Sequence, residues 1–349
     1  MINNIFNENK PSVLIIRLTS IGDVLLTTPL LRILRNLYPQ SRIDFLTTSQ
    51  MQSVFKHNPN IDNLYTISRK SNFTELNKKR RELSGEDKYD IVIDLQNNIK
   101  SRYLRLHLGK KILTFDKRRL YKLKLVYLKK IPSDYALIPD LYIKTAREIG
   151  AEPDGKGLEF WLPTDKQTGF YTKFVDKEGK NNKMDIVIAP GAYHFTKRWP
   201  KEHFVSLIRL LIDTGYRVSL LGGKEDIRLG EYFESIFKDK ITNYIGKTDL
   251  SGSAEVIDKH GVVITNDTAI MHIAAARRTP VIALFGSTVR QFGFTPYNAP
   301  HKIIEKNIPC RPCTHYGKAH CPKKHFKCMN LITPEEVHTE VTVIKNFID

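Results

Sequence analysis

Short apolar runs alternate with amphipathic stretches through the first half of this chain. Residues 13–16 are all aliphatic and predict a buried strand, while residues 30–37 carry apolar side chains at the i, i+3, i+4, i+7 spacing of a helix. Pro39 ends that helix, because proline cannot continue it. Further strands are predicted at residues 43–47, 64–67, 91–95 and 112–115. This succession of strands and helices indicates parallel βαβ units.

A second series of the same kind follows a break in the pattern. Residues 150–183 concentrate glycine, proline and polar side chains, which are typical of a linker. Beyond them, strands are predicted at residues 186–189, 218–221, 262–265 and 281–285, with helices at 203–213 and 268–276. A chain of 349 residues also exceeds the roughly 250–300 that one core accommodates. We therefore predict an α/β protein of two Rossmann-like, doubly wound parallel-sheet domains facing a cleft, residues 1–165 and 166–349.

The chain is strongly basic, with a formal net charge of +18. Such a charge favours a polyanionic partner: nucleic acid, anionic lipid or a phosphorylated substrate. Residues 100–130 alone hold twelve Lys or Arg and one acid, Asp116. Leu120, Leu123 and Tyr127 fall at helical spacing there, so one face can pack or touch a membrane while basic side chains face anions. A merely solvated basic helix is the alternative.

One further observation concerns the partner of this basic tract, and another concerns whether the chain crosses a membrane. Its tyrosines form no known RNA-binding motif, so we expect an anionic membrane surface and no nucleic acid. No apolar stretch reaches the roughly 18 residues of a membrane span, and the first ten residues lack the basic start and apolar run of a signal peptide. We therefore expect a cytoplasmic protein that is at most peripheral to a membrane.

Familiar nucleotide-binding motifs are missing. No Gly-x-Gly-x-x-Gly follows a strand, and Gly246-Lys247-Thr248 lacks the first glycine of a P-loop, because Ile241 stands there. The sequence also has no Asp-x-Asp pair to hold a metal on a diphosphate. A bound nucleotide diphosphate would therefore be neutralised by helix dipoles and basic side chains.

Candidates for that task lie in the second half. The segment from Asp267 through Thr268 and Ala269 opens a helix directly after a strand, so its free amides form an anion site. His272 lies one turn further and can reach the same ligand, although a packed histidine is the plainer interpretation. Residues 190–200 form a loop that ends in Lys-Arg-Trp-Pro. Glu225 follows another strand and is placed to accept hydrogen bonds from ribose or sugar hydroxyls.

Asp23 stands between the first strand and the first helix. As a helix N-cap it needs no further explanation, since Asp is a good N-cap and Gly22 relaxes the turn. The alternative is chemistry at the carboxyl end of a parallel strand, where open α/β sheets bind their ligands.

Several motifs, spread over residues 13–335, together resemble the bacterial lipopolysaccharide heptosyltransferases, glycosyltransferase family 9. They are, in order, Arg17-Leu-Thr-Ser-Ile-Gly-Asp-Val24 with Thr27-Thr-Pro-Leu30, Tyr89-Asp-Ile-Val-Ile-Asp-Leu-Gln96, Lys197-Arg-Trp-Pro200, and Asn266-Asp-Thr-Ala-Ile-Met-His-Ile-Ala-Ala275 with Leu284-Phe-Gly286. The resemblance implies a GT-B fold with an N-terminal acceptor-binding domain and a C-terminal nucleotide-sugar-binding domain. It also implies an inverting, metal-independent transfer of heptose from ADP-heptose to the lipopolysaccharide inner core.

The same resemblance implies roles for single residues. Asp23 is the general base that takes the acceptor proton, and Lys197 neutralises the diphosphate leaving group. The donor-binding residues are Thr196, Glu225, Asp267, Thr268, Ala269 and His272. The acceptor-binding residues are Thr19, Ser20, Gln96, Lys100, Arg118, Arg119 and Lys122. The implied partners are an ADP-sugar, a lipid-linked anionic saccharide and the inner-membrane surface, and catalysis requires no cofactor.

The sequence departs from the family pattern at two positions. Ala269 stands where members commonly have glycine, and its methyl group would crowd a close diphosphate. Asn97 replaces a common glycine, but asparagine tolerates positive φ and the turn can persist. Two other functions stay open: a GT-B glycosyltransferase for another nucleotide sugar or acceptor, and a non-enzymatic protein that binds polyanions such as nucleic acid.

All four cysteines fall near the end of the chain: Cys310, Cys313, Cys321 and Cys328. Disulfides are not expected in a cytoplasmic protein. Four thiols with one Cys-x-x-Cys pair can hold a structural zinc ion, although the second pair lacks the close spacing of a zinc ribbon. Bare thiols are the alternative.

Overall fold

The computed structural model describes residues 10–85, 88–165, 170 and 182–346. The chain divides into two units: a first unit of Met1–Arg118 with Ala136–Pro163, and a second unit of Arg119–Tyr135 with Thr164–Asp349. Residues 166–169 and 171–181, on which the predicted domain boundary falls, lie outside the described residues.

The first unit is built on a parallel sheet of five strands in the order β3-β2-β1-β4-β5. Its strands are β1 (Ser12–Ile16), β2 (Arg42–Thr48), β3 (Asn63–Ile67), β4 (Tyr89–Asp94) and β5 (Gly109–Thr114). Its helices are α1 (Ile21–Leu25), α2 (Thr28–Leu37), α3 (Phe73–Ser84), α4 (Ile99–Leu104) and α6 (Ile138–Thr145); α5 belongs to the second unit. The central strands β1 and β4 are aliphatic throughout their middle because helices cover both faces of such a sheet.

The second unit contains a parallel sheet of six strands in the order β11-β10-β9-β6-β7-β8. Its strands are β6 (Asn182–Ala189), β7 (Arg217–Leu220), β8 (Ile241–Asn243), β9 (His260–Asn266), β10 (Val281–Phe285) and β11 (His301–Glu305). Its helices are α5 (Arg119–Leu128), α7 (Lys201–Asp213), α8 (Ile227–Phe237), α9 (Leu250–Asp258), α10 (Ala269–Ala276), α11 (Lys327–Asn330) and α12 (Pro334–Asn346). Both sheets confirm the predicted doubly wound architecture. The sequence did not reveal β8 and β11.

Helix α5 packs against the second unit although it comes from the first half of the sequence. Leu125 is buried with Val289 and Phe292, and the Tyr121 hydroxyl donates to the Gln291 carbonyl at 3.1 Å. An apolar contact and a polar contact thus fix the same helix.

In the described part of the chain, no helix is both long and apolar enough to cross a membrane.

Two buried arginines anchor the chain that leads from the first unit into the second. Arg32 binds Asp154 through two hydrogen bonds of 2.7 and 2.9 Å and binds Glu159 at 2.9 Å, all within the first unit. Arg277, with no exposed surface, binds Asp165 at 2.6 Å and Asp258 at 2.5 Å within the second. Each arginine meets two carboxylates, so these buried charges are compensated.

Candidate active site

Each sheet has one point at which the strand order reverses. In the first sheet it lies between β1 and β4, and in the second between β9 and β6. Open α/β sheets bind ligands at the carboxyl ends of the strands that flank such a point. Asp23 and Gln96 follow β1 and β4, whereas Lys197 and Asp267 follow β6 and β9. The principal predicted residues therefore lie at the expected edge of their own sheets.

Asp23 is the third residue of α1, and Ser20 is the N-cap. One carboxylate oxygen, Oδ2, accepts hydrogen bonds from the backbone N of Ser20 at 3.2 Å and from its Oγ at 2.8 Å. The other, Oδ1, lies 2.6 Å from Nη2 of Arg17. Asp23 therefore caps the helix from its first turn and not from the N-cap position. Its side chain remains 21% exposed, so a ligand can still reach it.

Arg17 connects Asp23 to the end of β4. The arginine is buried, its Nη1 donates to the Leu95 carbonyl at 2.7 Å, and its guanidinium lies 5.6 Å from the ring centroid of Tyr142. A carboxylate offers about four lone-pair positions. The three donors described here, two from Ser20 and one from Arg17, leave room for one more, such as an acceptor hydroxyl.

Gln96 holds the loop that carries Asp23. Its Oε1 accepts from the backbone N of Leu18 at 3.0 Å and of Thr19 at 3.3 Å. The next residue, Asn97, has a φ of 42°, and its Nδ2 donates to the Phe115 carbonyl at 2.9 Å. The expectation that asparagine sustains this turn is confirmed. Gln96 thus positions the loop between β1 and α1, and Asn97 forms the turn that follows β4.

The remaining predicted acceptor residues are divided between the two units. Ser20 is exposed beside Asp23, and Thr19 is half-buried. Lys100 donates to the carbonyls of Arg69 at 2.9 Å and Ser71 at 3.2 Å, which ties α4 to the loop after β3. Arg118 is the last residue of its segment in the first unit, with a φ of 49°. Arg119 and Lys122 belong to the second unit, although the sequence analysis placed them in the N-terminal domain.

Lys197 and Asp267 form an ion pair in the second unit. Nζ of Lys197 lies 2.7 Å from Oδ2 of Asp267 and donates to its carbonyl at 3.3 Å. The Thr288 hydroxyl donates to the same Oδ2 at 2.8 Å. The carboxylate therefore fixes the ammonium beside the start of α10.

Three predicted donor residues surround that helix start. Thr268 is the N-cap of α10, and its Oγ1 lies 3.2 Å from Oγ1 of Thr265. Ala269 is the first helical residue and is half-buried, and His272 is buried one turn further along. The first amides of α10 have no partner within the helix, so this end suits an anion.

Thr196 is buried, and its hydroxyl is used inside the protein. Its Oγ1 accepts from Ser287 Oγ at 2.9 Å and from the backbone N of Lys318 at 2.8 Å. The backbone N of Cys313 donates to the Ser287 carbonyl at 3.1 Å. The cysteine-containing segment thus packs on the loop that carries Lys197, and Thr196 connects the two.

Glu225 is exposed after β7, whereas its neighbour Asp226 is more enclosed. Oδ2 of Asp226 accepts from the backbone N of Gly223 at 3.2 Å. A Cβ on Gly191 would come within 2.2 Å of that same oxygen, so a side chain there would force the Asp226 carboxylate to move. Burial raises the pKa of Asp226, and the Gly223 hydrogen bond and Arg198 counteract the rise.

The four cysteines lie within electrostatic range of one another. Burial raises the pKa of Cys328 to about 11, and the other three thiols add to that rise while Arg311 opposes it. Sγ of Cys310 lies 3.8 Å from Nε2 of His325. Among the described residues, however, no three side chains of Cys, His, Asp or Glu are arranged to hold a metal ion. The structural zinc stays a prediction.

Sequence reasoning gave no separate role to Arg17, Thr288 and Asp226. Arg17 belongs to a quoted motif, and its position directly after a strand was the available signal. Thr288 follows β10 and Asp226 follows β7, where polar residues are common. Their contacts with Asp267 and the Gly191 loop join segments far apart in sequence, so spacing could not reveal them.

Comparison with known proteins identifies the family. Lipooligosaccharide heptosyltransferase 2 of Haemophilus influenzae is 28% identical over 298 residues, covering 80% of this chain and 85% of that protein. The crystal structure of a glycosyl transferase family 9 protein from Veillonella parvula superposes with a TM-score of 0.75 at 23% identity, covering 97% of this chain and 100% of the other.

The Escherichia coli ADP-heptose lps heptosyltransferase II structure superposes with a TM-score of 0.70 at 22% identity, covering 96% and 99% of the two chains. These likenesses confirm a fold of the GT-B type. Residues 77–324 match the family described as glycosyltransferase family 9 (heptosyltransferase), well over half of the chain. The chain therefore belongs to glycosyltransferase family 9, the heptosyltransferases.

Proposed function

We propose that this enzyme transfers heptose from ADP-heptose to the inner core of lipopolysaccharide, by inversion and without a catalytic metal. The family membership and the names of the relatives support the donor and the acceptor: one relative is a lipooligosaccharide heptosyltransferase, and one similar structure is an ADP-heptose lps heptosyltransferase. The observation that carries the proposal is the placement of Asp23, Lys197 and Asp267 at the switch points of their own sheets.

Asp23 is the general base in this proposal. An acceptor hydroxyl attacks the anomeric carbon of the heptose, its proton passes to the carboxylate, and the bond from that carbon to the diphosphate oxygen breaks. Arg17 and Ser20 hold the carboxylate through both oxygens, so it is oriented before the acceptor arrives. A single displacement of this kind inverts the configuration at the anomeric carbon.

Lys197 stabilises the leaving ADP. The ammonium beside the start of α10 and the free amides of that helix together supply positive charge to the diphosphate. Asp267 is then a positioning residue, because its carboxylate holds Lys197 and accepts from Thr288. Thr268 and Ala269 bind phosphate, His272 lines the donor site and Glu225 binds the nucleoside hydroxyls.

Ala269 favours a second candidate, a transferase of the same fold that uses another nucleotide sugar. Its methyl group occupies the first position of α10, where a close diphosphate would pass. In that case the chemistry of Asp23 and Lys197 is unchanged and only the donor differs.

Thermal unfolding in the presence of ADP, UDP and GDP separates these candidates. A nucleotide at 100 times its Kd stabilises the protein by about 2.7 kcal/mol, which raises the Tm by a few degrees. A selective ADP shift, followed by transfer of heptose from ADP-heptose to a lipopolysaccharide acceptor lacking heptose, supports the proposal. A selective UDP or GDP shift without turnover of ADP-heptose contradicts the donor.

A further inference from the structure

Among the described residues of the second unit, helix α5 packs through the face that carries Leu125. Leu125 is 1% exposed and lies against Val289 and Phe292, with Tyr121 and Val126 at the edges of the contact. On the same side, Nζ of Lys122 lies 5.8 Å from the ring centroid of Phe294, and Nζ of Lys129 donates to the Pro312 carbonyl. Lys122, a predicted acceptor-binding residue, and Lys129 of the same basic tract are thus partly engaged by the protein.

The opposite side of α5 carries large apolar residues in contact with solvent. The exposed fractions are 75% for Leu120, 50% for Leu123, 75% for Tyr127 and 59% for Leu128. These positions repeat at three and four residues, so they lie on one side of the helix, and exposed Lys124 lies among them. We call these five residues the outer face of α5.

The charges around the outer face have one sign. Arg119 and Lys130 flank it and are exposed. The segment 119–135 contains five Lys or Arg and a single acid, Asp134, which lies beyond the helix. Exposed leucines in water are unfavourable, and a contiguous group of them beside lysines indicates an interaction surface.

We propose that the outer face of α5 docks this enzyme on an anionic lipid bilayer, with the helix lying in the plane of the interface. A helix of ten residues is about 15 Å long and cannot cross a hydrocarbon core of about 30 Å. Its leucines enter the boundary between headgroups and acyl chains, Tyr127 lies at headgroup level, and Lys124, Arg119 and Lys130 meet lipid phosphates.

The composition of the face favours a bilayer over the other polyanions and over a second copy of the chain. Nucleic acid engages cations through its phosphates and would leave the leucines in water. A second copy would place the same lysines and arginine against one another, and like charges repel. An anionic bilayer can contact both kinds of group: its interfacial region buries the apolar side chains, and its lipid phosphates bind the basic ones. This docking does not depend on which sugar the enzyme transfers.

Vesicle binding without donor or acceptor tests the docking independently of activity. Full-length protein is sedimented at low salt with vesicles of phosphatidylcholine alone or mixed with phosphatidylglycerol. We expect binding to the anionic vesicles and at least about tenfold weaker binding of the L120S/L123S/Y127S variant. Ile99→Ser and Leu331→Ser, at exposed apolar positions outside α5, are the matched controls and should bind as the wild type does.

A tyrosine-to-tryptophan variant gives a second readout that does not rely on loss of binding. In Y127W the new indole should shift its emission to the blue on anionic vesicles and become protected from acrylamide, because the side chain enters the interface. Circular dichroism and melting curves check that all variants fold.

Five outcomes overturn the proposal, and the first four concern vesicles and self-association. In the first two, the wild type fails to bind anionic vesicles, or the triple variant binds them as well as the wild type does. In the third, the emission of Y127W does not change when vesicles are added. In the fourth, sedimentation velocity shows that the wild type is a dimer and that the triple variant is a monomer. Binding to a generic RNA that equals vesicle binding and does not need the leucines identifies a nucleic-acid surface instead.

Discussion

Asp23 shows how one carboxylate holds the start of a helix and still remains accessible to a ligand. Its two oxygens hold Arg17 and Ser20, which fixes its direction without filling every lone pair. The sequence alone predicted an acid at the tip of a strand-to-helix turn. The buried arginine behind it could not be predicted, because the ion pair depends on how the loop folds.

Asp23→Asn should abolish turnover while leaving donor binding intact. The amide cannot take a proton, so kcat should fall by about 10²–10⁴-fold, whereas the Kd for ADP should change by less than about twofold. Single-turnover kinetics and calorimetry measure the two quantities. Ser20→Ala removes one hydrogen bond to the same carboxylate and should lose far less activity. Equal losses of turnover and ADP affinity in Asp23→Asn would refute the base assignment.

Lys197→Ala should weaken ADP binding. A hydrogen bond to a charged group contributes about 1.5–3 kcal/mol, so the Kd should rise by about 10- to 100-fold. Calorimetry with ADP measures the change, and Lys240→Ala, an exposed lysine of the same unit, is the control. If ADP binds Lys197→Ala as tightly as the wild type, Lys197 does not contact the diphosphate.

At the scale of elements, the apolar pattern predicted the buried strands of both sheets well but missed the two edge strands of the second sheet, β8 and β11. The central strands β1, β4, β6, β9 and β10 each contain a run of aliphatic residues and overlap their predictions, although β6 begins at Asn182 and not at residue 186. β8 has three residues and β11 has only two buried apolar residues, Ile303 and Ile304. A strand at the edge of a sheet buries less surface, so its sequence carries a weaker signal.

The burial of His315 near Lys122 of α5 should make stability sensitive to mild acid. Burial, with Lys122 nearby, lowers the pKa of His315 to about 4, against about 6.5 in the unfolded chain. Between these values the unfolded state binds the extra proton, so the free energy of unfolding should fall as the pH decreases from 6.5 towards 4.

Urea unfolding at several pH values measures this effect. His315→Gln should show a smaller decrease over the same range, and His301→Gln, at an exposed site, should follow the wild type. An identical pH dependence in His315→Gln and the wild type would show that His315 is not the group responsible.

Zinc analysis decides the nature of the cysteine segment. If the four thiols hold a structural zinc ion, protein purified without chelators should contain about one zinc per chain, and Cys310→Ser should contain less because a four-thiolate site loses one ligand. Native mass spectrometry and inductively coupled plasma emission spectrometry measure the amount of zinc per chain. Substoichiometric zinc in the wild type would identify four bare thiols.

At the scale of the whole molecule, each unit contains one buried arginine that binds the chain connecting the two units. Asp154 and Glu159 bind Arg32, and a few residues later Asp165 binds Arg277. The glycine, proline and polar residues of 150–183 predicted a linker. They did not predict these ion pairs, because Arg32–Glu159 and Arg277–Asp165 each join residues more than a hundred positions apart.

Arg277→Met should destabilise the protein strongly. The substitution removes the buried guanidinium that Asp165 and Asp258 both bind, and breaking such a buried pair costs about 3–5 kcal/mol. Chemical unfolding measures the change, and Arg228→Met, at an exposed arginine, should cost less than about 0.5 kcal/mol. A loss as small as that of the control would mean that the carboxylates do not need Arg277.

The grouping of α5 with the second unit bears on how this enzyme can be dissected. The chain passes between the units three times, at residues 118/119, 135/136 and 163/164, so neither unit is a continuous piece of sequence. A fragment starting at residue 164 would leave Val289 and Phe292 uncovered and should be prone to aggregate. A synthetic peptide of residues 119–135 supplied with it should cover them again, so that the second unit can be reassembled from two separate chains.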